Sequence, residues 1–228
     1  MANFLLLHGA YQGGWIWGPV ATRLRAAGHR VYAPTLDGCA ERRHQLRPGI
    51  TLESQATEIA DLMFYEDLSD VVMVGTSNGG MVMCQTAELA RARISRLVFV
   101  DALALLDGER VGEIVKRGVA RETTALATGP TREDVETRLF KDLDPALRAW
   151  AVARYTLQPI DTLEAPVKLP RFWSETWSAR VIYCRRSTNP PEPHQRRTAE
   201  RLKASWHELD TGHYPMLSMP EELARLIQ

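Results

Sequence analysis

Five short runs of the chain are almost continuously apolar: "NFLLLHG" (3–9), "HRVYAPTL" (29–36), "DVVMVG" (70–75), "RLVFVDAL" (96–103) and "ARVIYCR" (179–185). A weaker sixth, "SWHELD", follows at 205–210. Strands that are apolar on both alternating faces are covered on both sides, which is the condition of a parallel sheet. Parallel neighbours cannot be joined by a tight turn, so each return needs a crossover. The stretches between the runs supply it. "GPVATRLRAAGH" opens with Pro19, repeats Val20, Leu24 and Ala27 on one face, and stops at Gly28. "TLESQATEIADLMFYED" repeats Leu52, Ala56, Ile59 and Met63 at helical spacing. Alternation of strand and helix predicts a doubly wound α/β architecture.

One region breaks the alternation. From Asp107 to about Ser178 no strong buried strand occurs, and "LDPALRAWAVARYT" predicts a helix with Asp144 at its N-cap and Pro145 at N1. The expected organisation is a core formed by 1–106 and 178–228, with 107–177 as a helical cap inserted between sheet strands. Trp150, Tyr155, Phe172 and Trp173 are candidates for either the wall of a pocket or the packing of the cap itself.

Bulk properties narrow the function. Twenty-eight basic and twenty-eight acidic residues cancel, so no global field attracts nucleic acid or an anionic membrane. Three cysteines, Cys39, Cys84 and Cys184, have no paired spacing, which argues against a disulfide framework or a zinc site. "MANFLLLHGAY" has no cationic leader and too short an apolar run for a signal peptide or a membrane span. The expectation is a cytoplasmic protein with no metal site, and with a homodimer left open.

The candidate chemistry begins at Gly75-Thr76-Ser77-Asn78-Gly79, a G-x-S-x-G pattern joining a predicted strand to a predicted helix. In that setting the sharp turn exposes the serine, and the helix start directs its amides and positive dipole end at the site. Serine needs a base to become a nucleophile. Of six histidines, His29, His44, His194 and His207 read as surface residues, and His8 as a buttress of the loop after the first strand. His213, in "LDTGHYPMLSMPEEL", stands in a glycine-containing loop after the last strand, where the chain order of such sites puts the base. Two backbone amides would receive a developing oxyanion: Asn78, following the serine, and Ala10, in the loop "HGAYQGGW".

"LLLHGAYQGGWIWGPVATRLRAAGHRVYAPTLDG", "VGTSNGGMV" and "TGHYPMLSMPEEL" together resemble the plant methylesterase and hydroxynitrile lyase branch of the α/β-hydrolases and its bacterial esterase relatives. The resemblance spans nearly the whole chain. It implies the α/β-hydrolase fold: a sheet of about six mostly parallel strands, helices on both faces, a small helical cap, and a cofactor-free Ser-His-acid triad. Cyanogenic lyases of this branch carry a threonine where this chain has Gly9 and a lysine where it has Tyr214, so the resemblance implies ester hydrolysis over cyanohydrin cleavage. The family's usual acid follows the strand "ARVIYCR", but Ser187, Thr188 and Asn189 stand there. Some members of the superfamily place the acid at the end of the strand after the nucleophile helix, where this chain has Asp101. Glu192, or a neutral arrangement through Asn189 and Ser187, are the alternatives.

The resulting expectation is a carboxylesterase-type serine hydrolase with Ser77, His213 and Asp101 as triad and Ala10 and Asn78 as oxyanion donors. Its partner would be a small hydrophobic ester or lactone, since no cationic clamp for a charged acid stands out in the sequence. Amide or carbon–carbon bond hydrolysis or a lyase reaction on the same triad is one alternative. A non-catalytic protein that binds a small ligand is another.

Overall fold

The computed structural model describes residues 1–115 and 121–228. Strand β1 (Asn3–Leu7) leads to helix α1 (Gly18–Ala26), β2 (Arg30–Tyr32), α2 (Leu52–Tyr65), β3 (Val71–Ser77), α3 (Gly79–Ala90) and β4 (Ile94–Ala102). After β4 the chain leaves the sheet for α4 (Val111–Ile114), β5 (Arg121–Thr123), β6 (Ala127–Pro130), α5 (Arg132–Asp134), α6 (Pro145–Val152), β7 (Gln158–Pro159) and α7 (Asp161–Glu164). It returns through β8 (Ala179–Cys184), α8 (Glu192–Leu202), β9 (Ser205–Leu209), α9 (Pro215–Ser218) and α10 (Pro220–Ile227).

The main sheet has six strands in the order β2-β1-β3-β4-β8-β9, with every neighbouring pair parallel. Strand side chains alternate between two buried faces. Leu5, Leu7, Met73, Leu97 and Phe99 meet Ile59 and Met63 of α2 and Met81 and Val82 of α3. Phe4, Leu6, Val72, Val74, Val98 and Val100 meet Val20 and Leu24 of α1 and Leu223 and Ile227 of α10. Burying one such side chain contributes about 2 kcal/mol, so both faces of the apolar runs act in holding the sheet.

Local signals set the helix starts. Thr51 Oγ1 accepts from Ser54 N at 3.1 Å and Ser54 Oγ accepts from Thr51 N at 2.9 Å, a capping box on α2. Asp144 Oδ1 accepts from Ala146 N and Leu147 N at 3.1 and 3.0 Å and starts α6. The excursion between β4 and β8 holds, besides its short helices, a three-stranded antiparallel sheet in the order β5-β6-β7. β6 reads Ala-Thr-Gly-Pro, a turn-like composition, and it becomes a strand only by pairing with both neighbours. Residues 116–120 of the expected cap lie outside the described residues.

Strand order reverses between β1 and β3, because the chain runs outward from β1 to β2 and then returns to β1's other side. The loops leaving β1 and β3 therefore diverge and open a crevice at the carboxyl ends of the strands. No helix among the described residues is long and apolar enough to cross a membrane.

Two buried histidines tie loops to this frame. His8 Nε2 accepts from Leu36 N at 3.0 Å, so its Nδ1–H donates to Gly9 O at 2.7 Å. His194 is buried on α8, not on the surface as its polar sequence context suggests, and its Nε2 accepts from Ala104 N at 3.0 Å. Burial pushes His8 down to about 4 against the lesser pull of its Gly9 bond. Burial, aided by the Arg197 guanidinium, pushes His194 down to about 4 as well. Both rings are neutral when folded and titrate near the ordinary 6.5 when unfolded, so the stability they hold is complete above about pH 6.5 and is lost as pH falls toward 4. At about pH 5 the loss is on the order of 2 kcal/mol per ring, which lowers Tm by on the order of 10 °C for the pair. Thermal melts from pH 7 to pH 5 check this, and a flat Tm would contradict it. His194→Gln keeps an acceptor for the Ala104 amide and should flatten about half of the drop.

Candidate active site

β3 ends at Ser77 with φ of 49°, a left-handed backbone that side chains rarely adopt. Asn78 turns the chain, and α3 starts at Gly79. The turn is possible because its flanks carry no side chains. A Cβ on Gly79 would lie 2.5 Å from both Leu7 O and His8 O, and one on Gly75 would lie 2.8 Å from Gly79 O. Such approaches are closer than real Cβ atoms make, so the strand–turn–helix junction packs directly on the backbone of β1.

Asp101 lies at the same level of the neighbouring strand. Thr76 pairs with Val100 but Ser77 pairs with Ala102, so Asp101 is the extra residue of a bulge in β4. Its own φ is 44°. A bulge re-aims a side chain, and here the fully buried carboxylate turns to His213, with Oδ2 2.5 Å from Nδ1. The other carboxylate oxygen accepts from Gln195 Nε2 at 2.6 Å, and that same nitrogen donates to Pro190 O at 3.0 Å. Gln195 is itself buried on α8. Sequence reading passed over it, because a glutamine on a polar amphipathic helix carries no local signal.

The loop after β1 is held residue by residue. Gly9 N donates to Gln12 Oε1 at 3.3 Å, and Tyr11 N donates to Gln158 Oε1 at 3.1 Å. Between them the Ala10 N–H, like that of Asn78, donates to no acceptor among the described residues. Ala10, Ser77, Asn78 and His213 all line one cavity of about 360 Å³. The Ser77 hydroxyl forms no hydrogen bond with His213 or any other described residue; the two side chains share the cavity wall. Nucleophile–base contacts are often loose in ligand-free sites and tighten with substrate.

The alternative acids lie elsewhere. Glu192 begins α8 and pairs with Arg196 at 3.0 Å. Ser187 Oγ donates to Asn189 O at 3.3 Å, and both residues line the cavity without bonding to His213. The cap aromatics are packing residues: Phe172 stacks on Trp177 with centroids 5.3 Å apart, Trp150 meets Trp15 edge-on at 5.1 Å, and Trp173 Nε1 donates to Leu105 O. Tyr155 lines a separate, more open depression of about 900 Å³ that contains none of Ser77, His213 and Asp101. The apolar walls beside Ser77 come instead from Leu103, Val111, Leu139 and Leu163. No cationic clamp stands out in the sequence, yet Arg121, Arg138, Lys141 and Arg186 line the same cavity. No cluster of three or more metal-binding side chains occurs among the described residues.

The chain belongs to the α/β-hydrolase family, whose sequence pattern it matches over residues 4–226. Over 239 residues it is 31% identical to the carbendazim hydrolyzing esterase of Nocardioides sp. (strain SG-4G), covering 98% of this chain and 97% of that protein. It is 27% identical over 255 residues to methylesterase 3 of Arabidopsis thaliana, covering 99% and 94%. In fold it is similar to an extracellular α/β-hydrolase from a Paenibacillus species that shares structural and functional homology with tobacco salicylic acid binding protein 2. That likeness has a TM-score of 0.85 at 22% identity and covers 100% of this chain and 98% of the other. Within the family it is a carboxylesterase-type hydrolase of the branch that holds plant methylesterases, hydroxynitrile lyases and bacterial esterases.

Among the described residues the Gln195 side chain donates to Asp101 and Pro190 alone and does not line the cavity, so it is placed as a positioning residue. Gln195→Ala is expected to lower kcat about tenfold. It should also move the acid limb of kcat/KM to higher pH, because the carboxylate freed of one donor favours the imidazolium more strongly. The pH–rate profile of ester hydrolysis checks this. A lower Tm with an unmoved limb would reduce Gln195 to a packing residue.

Proposed function

We propose that the enzyme hydrolyses small carboxylic esters by acyl transfer through Ser77. The observation that carries the reading is the Asp101–His213 hydrogen bond opening into the cavity that Ser77 and the free Ala10 and Asn78 amides share. With Nδ1 held by Asp101, Nε2 of His213 is the nitrogen left to take the Ser77 proton. Ser77 Oγ attacks the ester carbonyl, and the Ala10 and Asn78 amides receive the negative charge that develops on its oxygen. The imidazolium, stabilised by the Asp101 carboxylate, returns its proton to the departing alkoxide. Water then repeats the sequence on the acyl-enzyme, so the ester and one water become an acid and an alcohol, and Ser77 is regenerated.

The cavity volume supports a small substrate, and Leu103, Val111 and Leu163 support an apolar body for it. A lyase reading has less support: a Cβ on Gly9 would stand 2.8 Å from Ser77 Cβ, leaving no room for a second hydroxyl-bearing side chain there. Three buried, unpaired cysteines, Cys39, Cys84 and Cys184, support a reducing compartment and hence the cytoplasm.

Ser77→Ala should abolish release of p-nitrophenol from p-nitrophenyl butyrate and labelling by a fluorophosphonate. Turnover near the wild-type rate in that variant would overturn the acyl-enzyme mechanism. Asp101→Asn, with the shape kept and the charge removed, should lower kcat by roughly 10²–10⁴-fold, measured with the same ester. Near-normal turnover would take Asp101 out of the triad.

A further inference from the structure

Four cationic side chains, Arg121, Arg138, Lys141 and Arg186, face the Ser77 cavity against one carboxylate, Asp142. In a chain of balanced charge, the cavity wall is locally cationic among the described residues. Two of the four have local partners: Arg138 pairs with Asp134 at 3.7 Å, and Arg186 donates to Asp210 O at 2.8 Å. The other two pair with no carboxylate among the described residues. The Arg121 guanidinium is fixed by neutral oxygens, with Nε donating to Thr128 Oγ1 at 3.2 Å and Nη2 to Tyr11 Oη at 3.4 Å. Most of its five donors remain open. Tyr11 immediately follows Ala10, so this charge is anchored to the oxyanion loop. Lys141 has no side-chain hydrogen bond or ion pair at all among the described residues. Asp142 does not neutralise either one, since it forms no ion pair with them.

Unpaired cations lining a partly apolar cavity repel one another, and an anion relieves that repulsion. A concave, low-dielectric wall also concentrates such an anion. Resting on the ester-hydrolase reading above, we propose that the substrates are esters that carry a second, ionised carboxylate, held by Arg121 and Lys141 while the apolar segment between lies along Leu103 and Leu163. Arg121 offers the planar fork that suits a carboxylate, and Lys141 adds a point charge on a flexible stem. The ester carbonyl then lies over Ser77, with its tethered carboxylate at the cap.

Binding to the Ser77→Ala protein tests this without relying on turnover. Monoethyl adipate, singly charged at neutral pH, is compared by calorimetry with neutral diethyl adipate. The monoester is expected to bind at least tenfold more tightly, and raising salt from about 0.02 to about 0.5 M should erase most of that preference. The Arg121→Gln/Lys141→Gln double variant should bring the ratio of the two affinities close to one. Equal affinities in the parent protein, or a preference that survives in the double variant, would overturn the proposal. A salt-insensitive preference would overturn it too. Hydrolysis of diethyl adipate by the wild-type enzyme reports separately on the esterase reading, so the two can fail independently. Thermal melts of the double variant, whose substitutions lie outside the main sheet, check that the fold is kept.

Discussion

The hydrogen bond between Asp101 and His213 is the contact on which the arrangement of the site depends. It spans the distance from β4 to the loop before α9, and it exists only because β4 bulges one residue out of register with β3. Without the extra residue, Asp101 would alternate onto a sheet face that is filled by helices. Two residues with left-handed backbone, Ser77 and Asp101, fall at this irregularity. Leu103 N donates to Ser77 O at 3.0 Å immediately beyond it and closes the ladder again. Left-handed backbone at two adjacent strand ends costs on the order of 1–3 kcal/mol each. The tightly packed layers on both faces of the sheet are what hold it in place.

Much of the architecture was open to sequence reasoning because its signals are local. Near-continuous apolar runs marked the parallel strands, and Pro19, Thr51 and Asp144 marked helix starts. Ser77 stood out through its flanking glycines and His213 through its position in the chain. Asp101 could be reached only as one option among three, because register decides where its side chain points and a register shift leaves no mark in the composition. The short cap strands, of two to four residues, lie below the length at which alternation can be read. His194 looked exposed because its helix is polar around it, and only the packing of α8 against the loop after β4 buries it.

The charges around the cavity show the same limit from the other side. Arg121, Lys141 and Arg186 stand far apart in the chain, within segments whose neighbours are ordinary polar residues. Arg121 comes from an antiparallel cap strand, Lys141 from the stretch before α6, and Arg186 from the turn after β8. Only the excursion of the chain over the sheet edge gathers them. A neutral total charge gave no hint of this, since it averages over the whole surface.

Gln195 and the bulge together have a consequence for the turn after β8. Ser77 and Asp101, the proposed nucleophile and acid, both lie on the central, adjacent strands β3 and β4, and Gln195 of α8 donates to the Asp101 carboxylate. The Ser187–Pro190 turn thus forms part of the cavity wall while contributing no member of the proton-transfer chain. The proposed reacting groups lie on the central strands of the sheet. Selection among substrates is left to the turn after β8 and the cap, which can diverge in sequence without disturbing the alignment of the reacting groups.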